Sequence, residues 1–361
     1  MLGTRPEMVK LAGIVRELGD QARIFHTGQH YDPSLSSEVW QSLGLPVPEA
    51  VLDVGGGSRA AQVGGALLAL DEIFRSCPPR AVVVQGDTNA TLAGALAANA
   101  NSIPLVHVEA GLRSHDRAMP EEHNRVLVDH IADVLCAPTQ TNRANLIEEA
   151  ISSARVHVTG NTVVEAVQAQ ALPDDEQELV LARHGLRAGG YVLATIHRPE
   201  NTDDQHTLET VLHELGKVRS RVVLPLHPRT RARVEQAGLE GLLSPLTVIE
   251  PLSPPQFLAL AAHCAVMVSD SGGLQEECSV LKRPLLVVRR STERPEVMGT
   301  FAERVTPGPA IADTVNAWLG DIASIHARLA RLPSPYGDGS ASSRIAALIN
   351  DVVLPAREVA A

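Results

Sequence analysis

Residues 81–125, AVVVQGDTNATLAGALAANANSIPLVHVEAGLRSHDRAMPEEHNR, decide how the chain folds. Val82–Val84 and Leu105–Val108 are short apolar runs of the kind that parallel sheets bury, and the small residues from Thr91 to Asn99 between them read as a helix. The stretch is one strand–helix–strand unit. Each strand ends on an acid, Asp87 after Gln85–Gly86 and Glu109 after His107–Val108. Ligands of open α/β sheets bind at the carboxyl ends of strands, so both carboxylates are expected at one crevice. A third acid, Glu121, follows Pro120 in the first turn of a further helix, where proline is tolerated and the dipole favours negative charge. Buried acids need a reason. General acid/base chemistry is one, and capping of nearby loops and helices by Asp87 and Glu109 is the other. Arg113 and Arg125 are at hand to pair with them.

Upstream of this unit, Met1–Leu18 reads as a glycine turn and an amphipathic helix with Met8, Leu11, Ile14, Val15 and Leu18 on one face. Only Met1 and Leu2 precede Gly3, where a doubly wound domain places its first, central strand. The sequence therefore predicts that this strand is missing, that a slot with unpaired backbone opens in the sheet, and that the natural start lies upstream of Met1. Arg23–Thr27 is a second short strand running into Gly28–Gln29–His30. Gly55–Ser58 reads as a loop, because the glycine spacing of a dinucleotide site is absent. A helix over 60–75 precedes the central unit, and helix 121–134, strand 134–137, helix 140–149 and strand 156–159 follow it.

Residues 166–190 are polar, helical and glycine-ended, as a hinge would be. Beyond them the alternation restarts, with strands at 191–196, 221–225, 246–249, 265–269 and 285–288 and helices between. The predicted class is α/β, with two Rossmann-like doubly wound domains facing a cleft, over 1–165 and 166–335. After the break at Pro335–Gly339, a final segment, 336–361, carries a helix from about 342 to 353.

With 361 residues the chain exceeds a typical single core and suits two domains. A net charge of −11 argues against broad nucleic-acid or membrane affinity, although a basic phosphate pocket can exist inside an acidic protein. Lysine occurs only at 10, 217 and 282. Cys77, Cys136, Cys264 and Cys278 lie far apart without metal-site or disulfide-framework spacing, which suits a reducing cytoplasm. No signal peptide opens the sequence and no apolar run is long enough to span a bilayer, so a soluble protein is expected.

In the second domain, Ser269–Glu277 (SDSGGLQEE) runs from a strand through Ser271–Gly272–Gly273 into a helix, which aims free amides and a positive dipole end where a diphosphate could sit. Glu277, about a turn and a half into that helix, could accept bonds from ribose hydroxyls. His197 ends the first strand of the domain and His227 follows the next; either could exchange a proton or simply be a structural histidine. Arg5, Lys10 and Arg294 could reach a pyrophosphate or form surface ion pairs.

Taken in order, GTRPE with Lys10, TGQH at 27–30, QGDT at 85–88, HVEAGLRS at 107–114, PEEHNR at 120–125, VTGNTV at 158–163, HRPEN at 197–201, DSGGLQEE at 270–277 and TERPE at 292–296 resemble the non-hydrolysing UDP-N-acetylglucosamine 2-epimerases. The resemblance runs from residue 3 to about 335 and implies the glycosyltransferase-B architecture, a final helix crossing back to the first domain, and a homodimer. It implies inversion at C2 of UDP-GlcNAc to give UDP-ManNAc, by elimination of UDP, a glycal held in the site, and re-addition after protonation of the other face. No cofactor, nicotinamide or metal is implied, and no nucleic-acid or membrane partner. By motif position Asp87, Glu109 and Glu121 become the catalytic acids, and His197 the partner of the leaving group. Arg5, Lys10, Arg113, Arg125, Ser271, Gly272, Gly273, Glu277 and Arg294 become substrate-binding residues. Some bacterial members bind a second UDP-GlcNAc as activator; the matching positions here are Gln29, His30 and His227. An epimerase of a related UDP-amino sugar, or a hydrolysing epimerase releasing UDP and ManNAc, is the alternative.

Overall fold

The computed structural model describes residues 1–28, 40 and 43–353. The chain forms two compact units, Met1–Ala166 joined by the segment from Tyr336, and Val167–Pro335. Each has its own core.

The first unit contains helices α1 (Arg5–Leu18), α2 (Arg59–Ser76), α3 (Asn89–Ala100), α4 (Pro120–Ile131), α5 (Gln140–Glu148) and α6 (Val163–Gln170), the last of which runs on past Ala166. Its strands are β1 (Phe25–His26), β2 (Ala50–Val51), β3 (Val82–Gln85), β4 (Leu105–Val108), β5 (Val134–Ala137) and β6 (Val156–Val158). β3-β4-β5-β6 form a parallel sheet in that order, and β1 pairs with β2 in parallel. β4 and β5 are buried along their whole length, as strands covered on both faces must be. The alanines and glycine of α3 leave it slim enough to pack closely on α2 and β3. Thr88 caps α3 by accepting from Thr91 N at 3.1 Å.

Met1 and Leu2 are hydrogen-bonded at the place expected of the first strand. Leu2 N donates to Phe25 O at 2.9 Å, Thr27 N donates to Leu2 O at 2.8 Å, and the Met1 amine donates to Val83 O at 3.0 Å. Met1–Leu2 thus stand between β1 and β3, where a central strand would run. Alongside them lies a cavity of about 490 Å³ whose walls include Leu11, Ile14, Phe25, Phe74 and Val83. Burial lowers the Met1 amine to about 6, with the charge of Glu7 opposing.

The second unit contains β7 (Tyr191–Thr195), β8 (Arg221–Pro225), β9 (Thr247–Ile249), β10 (Val266–Ser269), β11 (Leu285–Val288) and β12 (Ala302–Val305). Its helices are α7 (Asp174–Arg183), α8 (Pro199–Thr202), α9 (Gln205–Gly216), α10 (Pro228–Ala237), α11 (Pro254–His263), α12 (Gly272–Leu281), α13 (Ala310–Gly320) and α14 (Ile322–Arg331). The sheet is wholly parallel in the order β12-β11-β10-β7-β8-β9. This is the doubly wound order, with its switch point between β7 and β10. β12 is absent from the sequence reading: as an edge strand it exposes Glu303 and Arg304 and carries no apolar run. α15 (Ala341–Val353) returns the chain to the first unit, where Ile345 and Ile349 join a core with Leu2, Met8, Leu11 and Ile14.

Candidate active site

In the first unit the turns after Leu2, β3 and β4 bring acids and bases together. α1 carries Lys10 inward, and its Nζ lies 2.8 and 2.9 Å from the two carboxylate oxygens of Glu109. Both side chains are buried, and Gln85 on β3 donates a further bond to Glu109. Glu109 sits at φ +69°, a left-handed conformation that costs a non-glycine residue about 1–2 kcal/mol and is characteristic of functional loops. Asp87, half-buried, is held by Arg125 through Nε at 3.2 Å and through a second, closer contact. Asn124 Nδ2 donates to the Asp87 carbonyl at 2.8 Å and accepts in turn from Arg59.

Glu7 braces the same turns from α1. It accepts from Gly3 N at 3.0 Å, Thr4 Oγ1 at 2.8 Å, Thr88 Oγ1 at 2.8 Å and Thr91 Oγ1 at 3.2 Å. Burial raises its carboxyl above the usual range against those hydrogen bonds. Arg5, two residues earlier, is exposed.

The two glutamates at the start of α4 part company. Glu122 is buried, pairs with Arg125, and accepts from His115 N at 2.8 Å and Ser114 Oγ at 2.9 Å. Burial alone would raise its carboxyl, but these bonds and Arg125 bring it below the usual range. Glu121 is exposed beside it. The helix period explains the split: Glu122, Arg125 and Asp129 fall on one face, and Glu121 is rotated off it. Arg113, expected at the substrate, is occupied instead, by Asp129 at 2.7 Å and Glu149 at 2.6 Å.

In the second unit the hub is Asp270, which directly follows β10 and is fully buried. It accepts from His197 N at 3.0 Å, Arg198 N at 2.9 Å and Asn201 Nδ2 at 3.1 Å, so the turn after β7 is fixed to the turn after β10 at the switch point. The His197 ring stands 3.3 Å from Asp270 through Nδ1 and 5.8 Å from the His227 ring. Burial lowers the His197 pKa below the ordinary histidine value; Asp270 opposes, and His227, Arg198 and Arg229 add to the lowering. His227 caps α10 by accepting from Arg229 N at 3.2 Å. The other candidate activator positions, Gln29 and His30, lie outside the described residues.

α12 begins after Ser271, whose side chain makes no cap bond. A Cβ on Gly272 would meet Arg294 Nη1 at 3.0 Å, Glu293 Oε1 at 3.1 Å and Arg198 Nη2 at 3.3 Å, so the helix end lies close against these side chains and a larger residue would make them shift by a few tenths of an ångström. Arg294 is itself paired, with Glu276 at 2.8 Å and with Glu293. Glu277 is half-buried, its Oε1 within 3.5 Å of where a Gly273 Cβ would stand. Thus Glu276 belongs to the scaffold and Glu277 projects over the first turn of the helix. Sequence reasoning passed over Asp270, Glu122, Asn124 and Glu276. Asp270 was within reach, because it ends its strand as Asp87 and Glu109 end theirs.

The arrangement can move protons with the first unit's strand-end acids and hold an anion at the α12 amino end of the second. Among the described residues no cluster of acids, cysteines and histidines could hold a metal ion, and no helix is long and apolar enough to cross a membrane.

Comparison with known proteins identifies the family. The model described as UDP-N-acetylglucosamine 2-epimerase matches residues 15–350. The UDP-N-acetylglucosamine 2-epimerase of Methanocaldococcus jannaschii is 35% identical over 361 residues, with 97% of each chain covered. The UDP-2,3-diacetamido-2,3-dideoxy-D-glucuronate 2-epimerase of Pseudomonas aeruginosa is also 35% identical, over 96% of this chain and 97% of that protein. The crystal structure of the Methanocaldococcus jannaschii enzyme in complex with UDP-GlcNAc and UDP superposes with a TM-score of 0.83 at 34% identity, covering 97% of this chain and 98% of that one. With its two parallel α/β units and these similarities along its length, the chain belongs to the UDP-N-acetylglucosamine 2-epimerase family.

Proposed function

We propose that this chain interconverts UDP-GlcNAc and UDP-ManNAc by eliminating and re-adding UDP. A carboxylate of the first unit removes the C2 proton while the C1–O bond to UDP breaks, which leaves a glycal with a C1=C2 double bond. A second carboxylic acid protonates C2 from the other face and UDP returns to C1. The proton at C2 is not acidic, so the step needs positioned acids on both faces. Asp87, Glu109 and Glu121 are the candidates. The second unit holds UDP: the α12 amino end at Ser271, Gly272 and Gly273 takes the diphosphate, His197 and the exposed Arg5 of the first unit answer the charge that develops on the leaving group, and Glu277 binds the ribose. Lys10, Arg113, Arg125 and Arg294 are the further candidates for binding the substrate, and each is paired with an acid.

The observation that supports this reading best is the set of strand-end acids after β3 and β4, each answered by a buried cation, in a chain of this family. Incubation with UDP-GlcNAc in deuterated water tests it. The expected product is UDP-ManNAc with deuterium at C2, seen by NMR; no UDP-ManNAc at equilibrium would sink it. Free UDP with ManNAc would mark a hydrolysing epimerase. A homodimer working in the cytoplasm belongs to the same reading, which leaves activation by a second UDP-GlcNAc near His227 open.

A second reading has a specific support: the Pseudomonas aeruginosa relative is as similar as the Methanocaldococcus jannaschii one, although it is named for a diacetamido glucuronate. Turnover of both nucleotide sugars side by side decides, and the substrate with the higher kcat/KM is the better assignment.

A further inference from the structure

The turns after β3 and β4 share one buried support. His107, on β4, is fully buried. Its Nδ1 lies 2.7 Å from Asp129 Oδ1 and its Nε2 lies 2.9 Å from the carbonyl oxygen of Gly86, the residue before Asp87. The second Asp129 oxygen accepts from Gly111 N at 3.1 Å, two residues past Glu109, and from Arg113 Nη1 at 2.7 Å. Burial alone would raise the Asp129 carboxyl, yet His107 and Arg113 bring it below the usual range, so it stands as an acceptor. A carbonyl only accepts as well, so each ring nitrogen of His107 faces an acceptor.

The backbone beside these turns includes Glu109 at φ +69°, a conformation that a non-glycine residue keeps only where the surroundings over-determine it, while Gly86 and Gly111 take positive φ of +71° and +83° as glycine readily does. One imidazole and one carboxylate fix a turn next to each of two acids that lie on different strands.

We propose that the His107–Asp129 pair is a positioning device that sets Asp87 and Glu109 for proton transfer at C2. Neither member is exposed, so the pair acts through the backbone of Gly86 and Gly111 and touches no substrate. The proposal rests on reading Asp87 and Glu109 as the proton-transfer acids.

Three variants of the full chain separate the two arms. In His107→Asn the amide nitrogen replaces Nδ1, which keeps the bond to Asp129 and releases Gly86. In His107→Gln the amide nitrogen replaces Nε2, which keeps Gly86 and releases Asp129. Asp129→Asn preserves shape and removes the charge. Each is expected to lower kcat for UDP-GlcNAc about 100-fold, because a misplacement near 1 Å has that effect, while KM stays within about threefold. Amide hydrogen exchange should rise selectively, at Asp87 and Thr88 in His107→Asn and at Gly111 and Leu112 in His107→Gln. Folded variants with wild-type kcat would overturn the proposal. So would general loss of structure in all three, which would make the pair a core element only. If the wild-type chain itself gives no epimerisation, the functional reading fails, and the exchange pattern alone reports whether the pair holds both turns.

Discussion

At the scale of single residues, two of the candidate acids, Asp87 and Glu109, are each paired with a buried cation. Lys10 and Glu109 are 10% and 4% exposed in their side chains, so neither can fall back on water if the other is removed. Lys10→Met should cost about 3–5 kcal/mol by chemical denaturation, as breaking one side of a buried pair does. Adding Glu109→Gln to it should recover most of that stability and none of the activity. Three histidines of the second unit argue for a pH effect. Burial, their largest influence, holds His197, His263 and His326 below 6.5. As pH falls below 6.5 the unfolded chain takes up protons that the folded unit refuses, so unfolding becomes easier until the folded values are passed. These three histidines should therefore make the stability of the second unit decline from about pH 6.5 downwards. His326→Gln, which keeps the donor to the Ala265 carbonyl seen at 2.8 Å, should flatten part of that slope in a series of denaturation curves. The sequence brought Asp87, Glu109, Lys10 and His197 into view through their places at strand ends and helix starts. It could not say that Arg113 and Arg294 are spent on Asp129, Glu149, Glu276 and Glu293, because pairing of that kind is decided by side chains distant in the sequence.

At the scale of elements, α12 has a bare amino end, with a serine that makes no cap bond and a glycine pressed against arginines. Such an end offers amides and a partial positive charge to an anion. Gly272→Ala adds a methyl 3.0 Å from Arg294 Nη1 and 3.3 Å from Arg198 Nη2, contacts tight enough to push those side chains aside. UDP affinity by calorimetry is expected to fall about tenfold, the loss of roughly one charge-assisted hydrogen bond, with little change in melting temperature. Unchanged affinity would remove this helix end from the nucleotide site. The buried strands were legible because β-branched runs on two-sided sheets have no polar phase, and β3, β4, β5, β8 and β11 appear close to where the sequence puts them. β12 was not, since an edge strand with Glu303 and Arg304 outward resembles a loop. β1 is shorter than expected, Phe25–His26, and pairs with Ala50–Val51 on one side and bridges to Leu2 on the other.

At the scale of the whole molecule, the chain order and the core order differ. The segment from Tyr336 follows the second unit in sequence and belongs to the first in space. α15 buries Ile345 completely and Ile349 to 6% exposure among Leu2, Met8, Leu11 and Ile14 of α1 and its approach. It is also tied by Ser342 N, which donates to Glu165 Oε1 at 2.9 Å. Each of those isoleucines is worth about 1.5–3 kcal/mol, so their joint removal takes a large part of the roughly 5–15 kcal/mol that holds an ordinary domain. The core of the second unit draws on residues from Val192 to Ile322 and on none of these. A chain ending at Pro335 should therefore lose its first unit selectively: one calorimetric transition drops or vanishes, the other keeps its midpoint, and limited proteolysis leaves a resistant fragment spanning about 167–335. Gly13→Ala is the graded form of the same test. Its Cβ would meet Ser342 Oγ at 2.2 Å, forcing α1 and α15 apart at a cost of about 1–3 kcal/mol, which should lower only the transition that truncation abolishes. If both transitions move together in either variant, the two cores are not thermodynamically separate.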